Sequence, residues 1–325
     1  MEPSVIGMVT SYPGLHQADW LWKQTPQNFG VWKSIQMQAR AASPNYLLLY
    51  QFDFHRLLQS TKRPWRKRFR PDVPPPMQTY LRHLPPEKII FLLREPPLPE
   101  VDAVNQSNYG YAQQYCDYVS GPDDSAPIPD YMPAIWYVNQ PFDYLEKGLP
   151  PAKQRPCSWI TSGVNRSQNH HQRLAFLQQL QARQLSVDIY GRRLPDSISS
   201  YGPLQNKWSG MAPYYYNLAI ENYRDNRWYV SEKLWDALLA WCLPIYYGGP
   251  AADRLLPSGS FLRLPSQDEQ GLAYIREVIA SPDAWYAAKD AIAEARQIIL
   301  HKLNLLNWLS DYVSNQTGED AVGSN

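Results

Sequence analysis

Residues 217–248 read NLAIENYRDNRWYVSEKLWDALLAWCLPIYYG, a polar and charged loop set between two apolar runs. The first run, NLAI, and the last, LPIYYG, have the composition of buried strands. Ser231 is a favourable N-cap, and the apolar side chains after it fall on one helical face: Leu234, Trp235, Leu238, Leu239 and Cys242. The stretch therefore predicts a strand, a loop, a helix and a second, parallel strand.

The rest of the chain shows the same alternation of predicted strands and helices. SWITS, SQNHHQRLAFLQQLQAR and VDIYG predict another strand–helix–strand unit, so the second half should hold a parallel sheet. VIGMVTS, YLLLYQFDF, KIIFLLRE and PAIWYVNQ predict buried strands in the first half, and GVWKSIQMQARAA (residues 30–42) predicts an amphipathic helix there. The Pro-rich residues 121–156 are typical of a linker. We expect an α/β protein with domains at 1–150 and 151–300 and, at 301–325, a helix end followed by a disordered tail, SNQTGEDAVGSN, from Ser314.

Charged side chains cluster where parallel α/β sheets bind their ligands. Glu232 and Lys233 fall in the first turn of the predicted helix, just beyond the carboxyl end of a strand. A helix N-terminus with a lysine beside it suits an anion such as a diphosphate. Arg173, near the start of the preceding predicted helix, can offer a bidentate guanidinium at the same sheet edge. An ordinary solvated first turn accounts for the same residues, so spacing alone leaves both interpretations open.

The composition limits the kinds of binding partner and the cellular compartment that we expect for this protein. The 325 residues carry a formal net charge of +1, which indicates no attraction to nucleic acid as a whole. The 12 tryptophans and 23 tyrosines suit a sugar-binding cleft, or simply a core rich in rings. The three cysteines are far apart, the N-terminus lacks a leader pattern, and no apolar run approaches the roughly 20 residues of a membrane span. We therefore expect a cytoplasmic protein.

The chain offers few metal ligands in a suitable arrangement. QFDFH holds a single aspartate where a D-x-D pair would bind a cation for a nucleotide diphosphate. His170 and His171 are adjacent and so point in different directions. We expect no bound metal and no cofactor.

The motif NLAIEN…RWYVSEKLWDALLAWCLPIYYGGP…SGSFLRL resembles the donor-binding motif of the α1,3-fucosyltransferases. That family reads F-E-N, a short loop, Y-V-T-E-K, a helix, a P-I/V-Y/V-G segment and an SFI strand. SWITSGVN…RLAFLQQLQ…VDIYGR, upstream, is similar to the family's S-N…R…F…L…V-D run. The resemblance is specific over about residues 157–265 and looser before them.

This resemblance implies a GT-B architecture, in which two Rossmann-like domains face each other across a cleft. It also implies GDP-fucose as the donor, bound by the C-terminal domain, and a glycan as the acceptor. Carried over by position, Arg173 and Lys233 would bind the diphosphate and Glu232 the ribose hydroxyls. Asn222 and Tyr229 match donor-contacting positions, and Lys207 matches a lysine before the motif's strand.

A general base is needed as well, because inverting transfer removes a proton from the acceptor hydroxyl. Glu95 follows the predicted strand KIIFLL, and the resemblance implies that a glutamate after this strand is the base. Glu100 and Asp102 are rivals nearby, and an ordinary loop carboxylate remains an alternative.

Three features leave room for other interpretations. Ile220 replaces the family's phenylalanine, and the basic loop YRDNRW (residues 223–228) borders the sugar, so the donor sugar is less certain than the nucleotide-diphosphate class. The alternatives are a GT-B enzyme with another nucleotide sugar and a catalytically silent glycan-binding relative. The basic stretch KRPWRKRFR, from Lys62 to Arg70, fits a solvated loop best, and peripheral contact with the inner membrane face is the alternative. The oligomeric state stays open.

Overall fold

The structure, a computed structural model, describes residues 2–12, 20–60 and 77–317. These residues form two compact units, the first made of the residues up to Met132 with those from Leu306 onward, and the second of Pro133–Leu305. Each unit has its own sheet, with seven strands in the first and five in the second. The predicted α/β class, with two mainly parallel sheets, is confirmed.

The sheet of the first unit has the order β2-β3-β1-β4-β5-β6-β7. Its strands are β1 Ser4–Thr10, β2 Val31–Trp32, β3 Ile35–Met37, β4 Tyr46–Tyr50, β5 Ile89–Leu92, β6 Tyr118–Gly121 and β7 Ile128–Pro129. All neighbours are parallel except β2 and β3. Every residue of β4 and β5 is buried, as expected for central strands covered on both faces. Because β3 and β4 lie on opposite sides of β1, the strand order reverses between β1 and β4.

Three helices of the first unit connect or flank these strands: α1 Phe54–Ser60, α2 Met77–Tyr80 and α3 Asp102–Ala112. The predicted helix at residues 30–42 is wrong, because this segment forms the β2–β3 hairpin. Lys33 takes a left-handed backbone conformation (φ 48°) in the turn. Ile35 and Met37 are buried while Gln36 between them is not, and this alternation has the period of a strand.

The sheet of the second unit has the order β12-β11-β10-β8-β9 and is parallel throughout. Its strands are β8 Arg155–Ser162, β9 Val187–Arg192, β10 Tyr214–Ile220, β11 Leu243–Tyr247 and β12 Leu262–Arg263. Both predicted strand–helix–strand units are present. Since β9 and β10 lie on opposite sides of β8, the strand order reverses between β8 and β10, which is where open α/β sheets bind ligands.

The remaining helices are α4 Phe142–Lys147, α5 Gln168–Ala182, α6 Glu232–Leu239, α7 Ala251–Leu255, α8 Glu269–Val278, α9 Asp283–Ala287, α10 Lys289–Gln297 and α11 Leu305–Thr317. α5 joins β8 to β9, and α6 joins β10 to β11. A short π-helix, Ile298–Lys302, follows α10. Among the described residues, no helix is both long and apolar enough to span a bilayer.

The segment PAIWYVNQ, predicted as a strand, joins no sheet and belongs to the second unit. Ala134 makes one isolated parallel bridge with Asn304. The Asp236 carboxylate accepts hydrogen bonds from the Tyr137 and Val138 amides at 2.7 and 3.2 Å, which satisfies amides that a strand would pair with a neighbouring strand. The chain therefore enters the second unit at Pro133, before the predicted boundary at 150/151.

The end of the described chain also differs from the expectation for residues 301–325. After Leu305, α11 belongs to the first unit, where Trp32 Nε1 donates to Asn307 Oδ1 at 3.1 Å. The α11 helix continues to Thr317, so the first residues of the expected tail, from Ser314 to Thr317, are helical. The basic stretch from Lys62 to Arg70 lies outside the described residues.

Candidate functional site

Arg173 lies where the strand order of the second sheet reverses. Its Nη1 donates to Asn222 Oδ1 at 2.5 Å, just beyond β10, and its Nη2 donates to the Ser162 and Val164 carbonyls at 2.9 and 3.1 Å, at and beyond the end of β8. The residue is only 4% exposed. Burial lowers the pKa of its guanidinium to about 10, so the group remains a cation at neutral pH.

The contacts of this guanidinium leave its charge without a direct counter-ion. Within the described chain its oxygen partners are two carbonyls and one amide, and its buried Nε–H has no hydrogen-bond partner. A buried cation without a paired anion is costly unless a ligand neutralises it. Arg173 is therefore suited to hold a negative group at the reversal point of the sheet.

Lys233 lies in the first turn of α6 and joins a buried carboxylate. Its Nζ is 3.0 Å from Glu221 Oε2 and 3.0 Å from Ser231 Oγ. Glu221 has a fully buried side chain, and that of Lys233 is 23% exposed. Burial alone would lower the pKa of Lys233, but the Glu221 and Glu232 carboxylates outweigh it, and the pKa is raised. The lysine is thus a fixed cation with part of its surface open to a ligand.

Ser231 explains why the chain turns into a helix here. Its backbone N–H and its hydroxyl both donate to Glu221, at 2.8 and 2.6 Å, and its hydroxyl oxygen caps the Lys233 amide at 3.4 Å. The carboxylate after β10 therefore fixes the N-terminus of α6. Because the α6 N-terminus carries a partial positive charge, this arrangement adds to the positive field at the sheet edge.

A polar cavity of about 320 Å³ opens beside these residues. Its lining comes from the end of β11, the loop after β10, the first turns of α5 and the segment before α8: Asn169, Gln172, Glu221, Asn222, Tyr223, Arg224, Asp225, Tyr247 and Gln267. The Arg224 guanidinium lies 5.0 Å from the centre of the Tyr247 ring. Half of the loop at 223–228, from Tyr223 to Asp225, thus lines a cavity of hydrogen-bonding groups, and this is the loop that the sequence associates with the donor sugar.

The backbone of the loop at 223–228 packs against Gly249 so closely that there is no room for a side chain there. A Cβ atom at Gly249 would lie 2.2 Å from the Asn226 carbonyl oxygen and 2.9 Å from that of Arg224. The Asn226 side chain accepts hydrogen bonds from the Trp228 and Tyr229 amides at 2.6 and 3.0 Å, which closes the loop on itself. The loop conformation therefore depends on the close approach of two backbone segments.

Lys207 forms a second buried ion pair. Its Nζ lies 2.5 Å from Asp236 Oδ2, and the Asp236 side chain is fully buried. Burial raises the pKa of Asp236, although Lys207 opposes this effect. Lys207 therefore has a structural contact in this unit, between the short helix before β10 and the middle of α6, besides the donor contact that the resemblance implies.

The other two predicted donor residues are also in the second unit. Tyr229 is buried, at 7% exposure, and follows the loop. Glu232 is the first residue of α6, and its charge raises the pKa values of both Lys233 and Lys207. The structure thus brings Arg173, Asn222 and Lys233 to one sheet edge.

Glu95 belongs to the first unit and follows β5. Its Oε1 accepts a hydrogen bond from the Tyr12 hydroxyl, and its amide donates to Gln51 Oε1 at 3.0 Å. Of its two rivals, Glu100 is exposed, and Asp102 begins α3 and accepts from Gln106 Nε2 at 2.9 Å. Glu95 is the one whose side chain is held by a residue from another strand end.

Four residues of these networks are absent from the sequence-based site: Glu221, Asp236, Tyr12 and Gln51. Glu221 stands directly after a predicted strand in the E-N pair of the motif, so its position was visible. Tyr12 and Gln51 follow β1 and β4, and the rule that selected Glu95 after β5 would have selected them too. Asp236 lies within the buried face of a helix, and no sequence pattern marks its partner.

His170, one of two adjacent histidines, contacts a helix cap. The His170 Nδ1 lies 2.8 Å from Ser167 Oγ at the start of α5, so this ring takes part in the helix cap. The described residues hold no group of three or more His, Cys, Asp or Glu side chains that could bind an ion.

Comparisons with known proteins identify the region that carries this site. Residues 150–287 match the model of glycosyltransferase family 10 (fucosyltransferase), C-terminal part. Mouse (Mus musculus) alpha-(1,3)-fucosyltransferase 7 is 32% identical over 117 residues, which are 35% of this chain and 28% of that protein. The bovine (Bos taurus) protein of the same name is 31% identical over 117 residues, 35% of this chain and 32% of the relative. The matched stretch thus spans about a third of these relatives' length or less.

The fold has parallels among solved structures. The crystal structure of Anabaena Alr3699/HepE in complex with UDP-glucose superposes with a TM-score of 0.56 at 11% identity, covering 97% of this chain and 99% of that chain. At this identity the likeness shows the fold alone, which is that of the GT-B glycosyltransferases. The match of residues 150–287 to the fucosyltransferase family model confirms the resemblance that the motifs indicate.

Proposed function

We propose that this protein is an inverting fucosyltransferase, which transfers L-fucose from GDP-fucose to a hydroxyl group of a glycan and forms an α1,3 linkage. The observation that carries the proposal is Arg173, a buried cation with an unpaired Nε–H at the reversal point of the second sheet. It lies within the region matched to the fucosyltransferase family. The alternative donor is another nucleotide sugar, such as the UDP-glucose in the crystal structure of Anabaena HepE.

In this proposal the second unit binds the donor. The diphosphate is held by Arg173, by Lys233 and by the N-terminus of α6, which together oppose its negative charge. Glu232 binds the ribose hydroxyls, and Asn222, Tyr229 and Lys207 complete the donor site. The charge that develops on the leaving group is met by these cations, so the proposal gives no role to a metal ion or other cofactor.

The transfer itself is a direct displacement. The acceptor oxygen attacks the anomeric carbon of fucose while the bond from that carbon to the phosphate oxygen breaks, and its electron pair leaves with GDP. Glu95 takes the proton of the acceptor hydroxyl. Attack on the face opposite the leaving group inverts the anomeric centre.

We also propose a cytoplasmic location. It is supported by the three cysteines, Cys116, Cys157 and Cys242, which are all buried and unpaired, as in proteins of a reducing compartment.

Titration calorimetry with GDP, UDP and ADP tests the donor class. We expect GDP to bind at least about tenfold more tightly than the other two, equivalent to about 1.4 kcal/mol. Lys233→Met should lose most of this affinity, and Lys33→Met should not, because Lys33 forms an exposed pair with Asp311 in the other unit. Equal affinities for the three nucleotides would contradict fucose as the sugar, and a preference for UDP would favour the alternative donor.

A further inference from the structure

Three strand ends of the first unit meet at Glu95. Tyr12 stands two residues beyond β1, Gln51 directly follows β4, and Glu95 follows β5. Because β1, β4 and β5 are adjacent and parallel, their carboxyl ends lie side by side. The strand order of this sheet reverses between β1 and β4, so the three residues stand at or beside the reversal point of the first unit.

Gln51 fixes the main chain at Glu95. Its Oε1 accepts hydrogen bonds from the Arg94 and Glu95 amides at 2.7 and 3.0 Å. The backbone N–H of Gln51 donates to the Leu92 carbonyl at 2.8 Å, and Gln51 takes a left-handed backbone conformation, with φ 48°. A non-glycine residue held in this region is strained, which indicates that the surrounding structure determines the turn.

Tyr12 fixes the side chain. Its hydroxyl donates to Glu95 Oε1. Burial raises the pKa of Tyr12, and the Glu95 charge raises it further, so the hydroxyl keeps its proton and remains a donor at any physiological pH. Glu95 itself is exposed, and an exposed glutamate loses several rotamers when it is held in one. The hydrogen bond offsets that entropy before any substrate binds.

The contact also makes the two carboxylate oxygens of Glu95 different. Oε1 is engaged by Tyr12, while no described residue donates to Oε2. A cavity of about 480 Å³ opens at the same reversal point, and Ser11, next to Tyr12, is part of its wall. A carboxylate held through one oxygen presents the other in a fixed direction.

We propose that Tyr12 is a positioning residue for the general base: it holds Glu95 through Oε1 so that Oε2 receives the acceptor proton. This inference rests on the proposed function, since it needs Glu95 to act as the base. In the transfer step the acceptor O–H bond breaks and a new O–H bond forms at Oε2. The Tyr12 proton stays on its own oxygen throughout.

The test uses Tyr12→Phe, which removes one oxygen atom and keeps the ring. Turnover of GDP-fucose is followed by GDP release, with an acceptor that the unmodified protein selects from a panel of defined oligosaccharides, and with water as the acceptor in parallel. We expect kcat to fall by about tenfold, the scale of one hydrogen bond to a charged group. The KM for GDP-fucose and the affinity for GDP should not change.

Two further variants separate positioning from a general structural effect. Tyr115→Phe makes the same chemical change in the first unit, where the Tyr115 ring packs on Phe54 at 5.9 Å and its hydroxyl makes no hydrogen bond to a described residue. This control should keep the full kcat. In the Glu95→Gln background, Tyr12→Phe should cause no additional loss, because a residue that acts through Glu95 has nothing left to position.

The outcomes separate the inference from the proposed function. A tenfold loss in Tyr12→Phe that disappears in the Glu95→Gln background supports the inference. An unchanged kcat, or an equal loss in both backgrounds, overturns it and leaves the proposed function standing. An unmodified protein that never turns over GDP-fucose contradicts the proposed function, and the inference falls with it.

Discussion

Arg173 Nη1 lies 2.5 Å from Asn222 Oδ1, and this contact joins the second turn of α5 to the residue pair that follows β10. The two other carbonyl contacts of the guanidinium tie it to the end of β8. One side chain thus bridges the two strands between which the strand order reverses. In the proposed function, the donor site depends on this bridge for both its shape and its charge.

Replacing the guanidinium by an ammonium tests the bridge. Arg173→Lys keeps the charge but cannot make the forked contacts to Asn222 and the β8 carbonyls together. We expect GDP binding to weaken by about tenfold or more, equivalent to about 1.4 kcal/mol, as measured by titration calorimetry. Arg183→Lys, at the other end of α5, is the control because Arg183 pairs with an exposed Glu269. Equal affinity in both variants would remove Arg173 from the donor site.

The Lys207–Asp236 pair should contribute to stability. Lys207→Met leaves the buried Asp236 carboxylate without its cation, and loss of one partner of a buried pair costs about 3–5 kcal/mol. We expect chemical denaturation to show this loss in the free energy of unfolding. Lys207→Met with Asp236→Asn should recover part of it, because the asparagine is neutral and its oxygen can still accept from the Tyr137 and Val138 amides. A stability of Lys207→Met equal to that of the unmodified protein would refute a structural role of the pair.

Gly249 should be needed for the loop at the cavity mouth. Gly249→Ala places a Cβ 2.2 Å from the Asn226 carbonyl oxygen, so the loop at 223–228 must move. We expect GDP-fucose affinity to fall by about tenfold, or about 1.4 kcal/mol, in titration calorimetry. Gly110→Ala is the control: no atom lies within 4 Å of its Cβ, and alanine should stabilise α3 by about 0.5–1 kcal/mol. Unchanged donor affinity in Gly249→Ala would separate the loop from the donor site.

The sequence predicts the second unit well because its strands and helices follow one another locally. The capped start of α6 and the buried runs of β8, β10 and β11 each carry their own pattern. The sequence does not predict the hairpin of β2 and β3, because Trp32, Ile35 and Ala39 also fit a helical period and only the turn at Lys33 distinguishes a hairpin from a helix. The entry of the chain into the second unit at Pro133 was hidden, since it depends on Asp236, about a hundred residues away.

In the candidate site, too, residues within a local motif are predictable from the sequence, whereas contacts between distant residues are not. Glu232, Lys233 and Asn222 lie within one motif and were selected from it, whereas the Tyr12–Glu95 contact joins residues 83 positions apart. Only sheet topology brings these two together. The side-chain partner of Lys233, Glu221, was visible in the motif, but its complete burial became apparent only in the fold.

Lys153 should make stability depend on pH in a defined direction. Its Nζ donates to the Ala212 and Ala240 carbonyls at 2.9 and 3.1 Å, and burial lowers its pKa to about 8, with Cys242 opposing and Arg296 adding to the effect. An unfolded lysine has a pKa of about 10.4, so between about pH 8 and 10 the unfolded state binds more protons than the folded state. The contribution of Lys153 to stability therefore rises with pH in this window.

Thermal unfolding of the unmodified protein and of Lys153→Met between pH 7 and 9 measures this contribution. We expect the Tm difference to move in favour of the unmodified protein as the pH rises. The difference between the two proteins cancels the titration of groups that do not interact with Lys153; the Cys242 thiol does interact with it, and its pKa is raised by burial. Parallel Tm curves would show that Lys153 is not desolvated as its contacts indicate.

The most direct measurement is the product of the reaction. The protein is incubated with GDP-fucose or UDP-glucose and a panel of defined oligosaccharides, and the products are identified by mass spectrometry and NMR. The proposed function predicts transfer from GDP-fucose alone, with an inverted anomeric centre and fucose on the 3-hydroxyl of the acceptor sugar. Transfer of glucose from UDP-glucose, or no transfer from GDP-fucose to any acceptor, would contradict it.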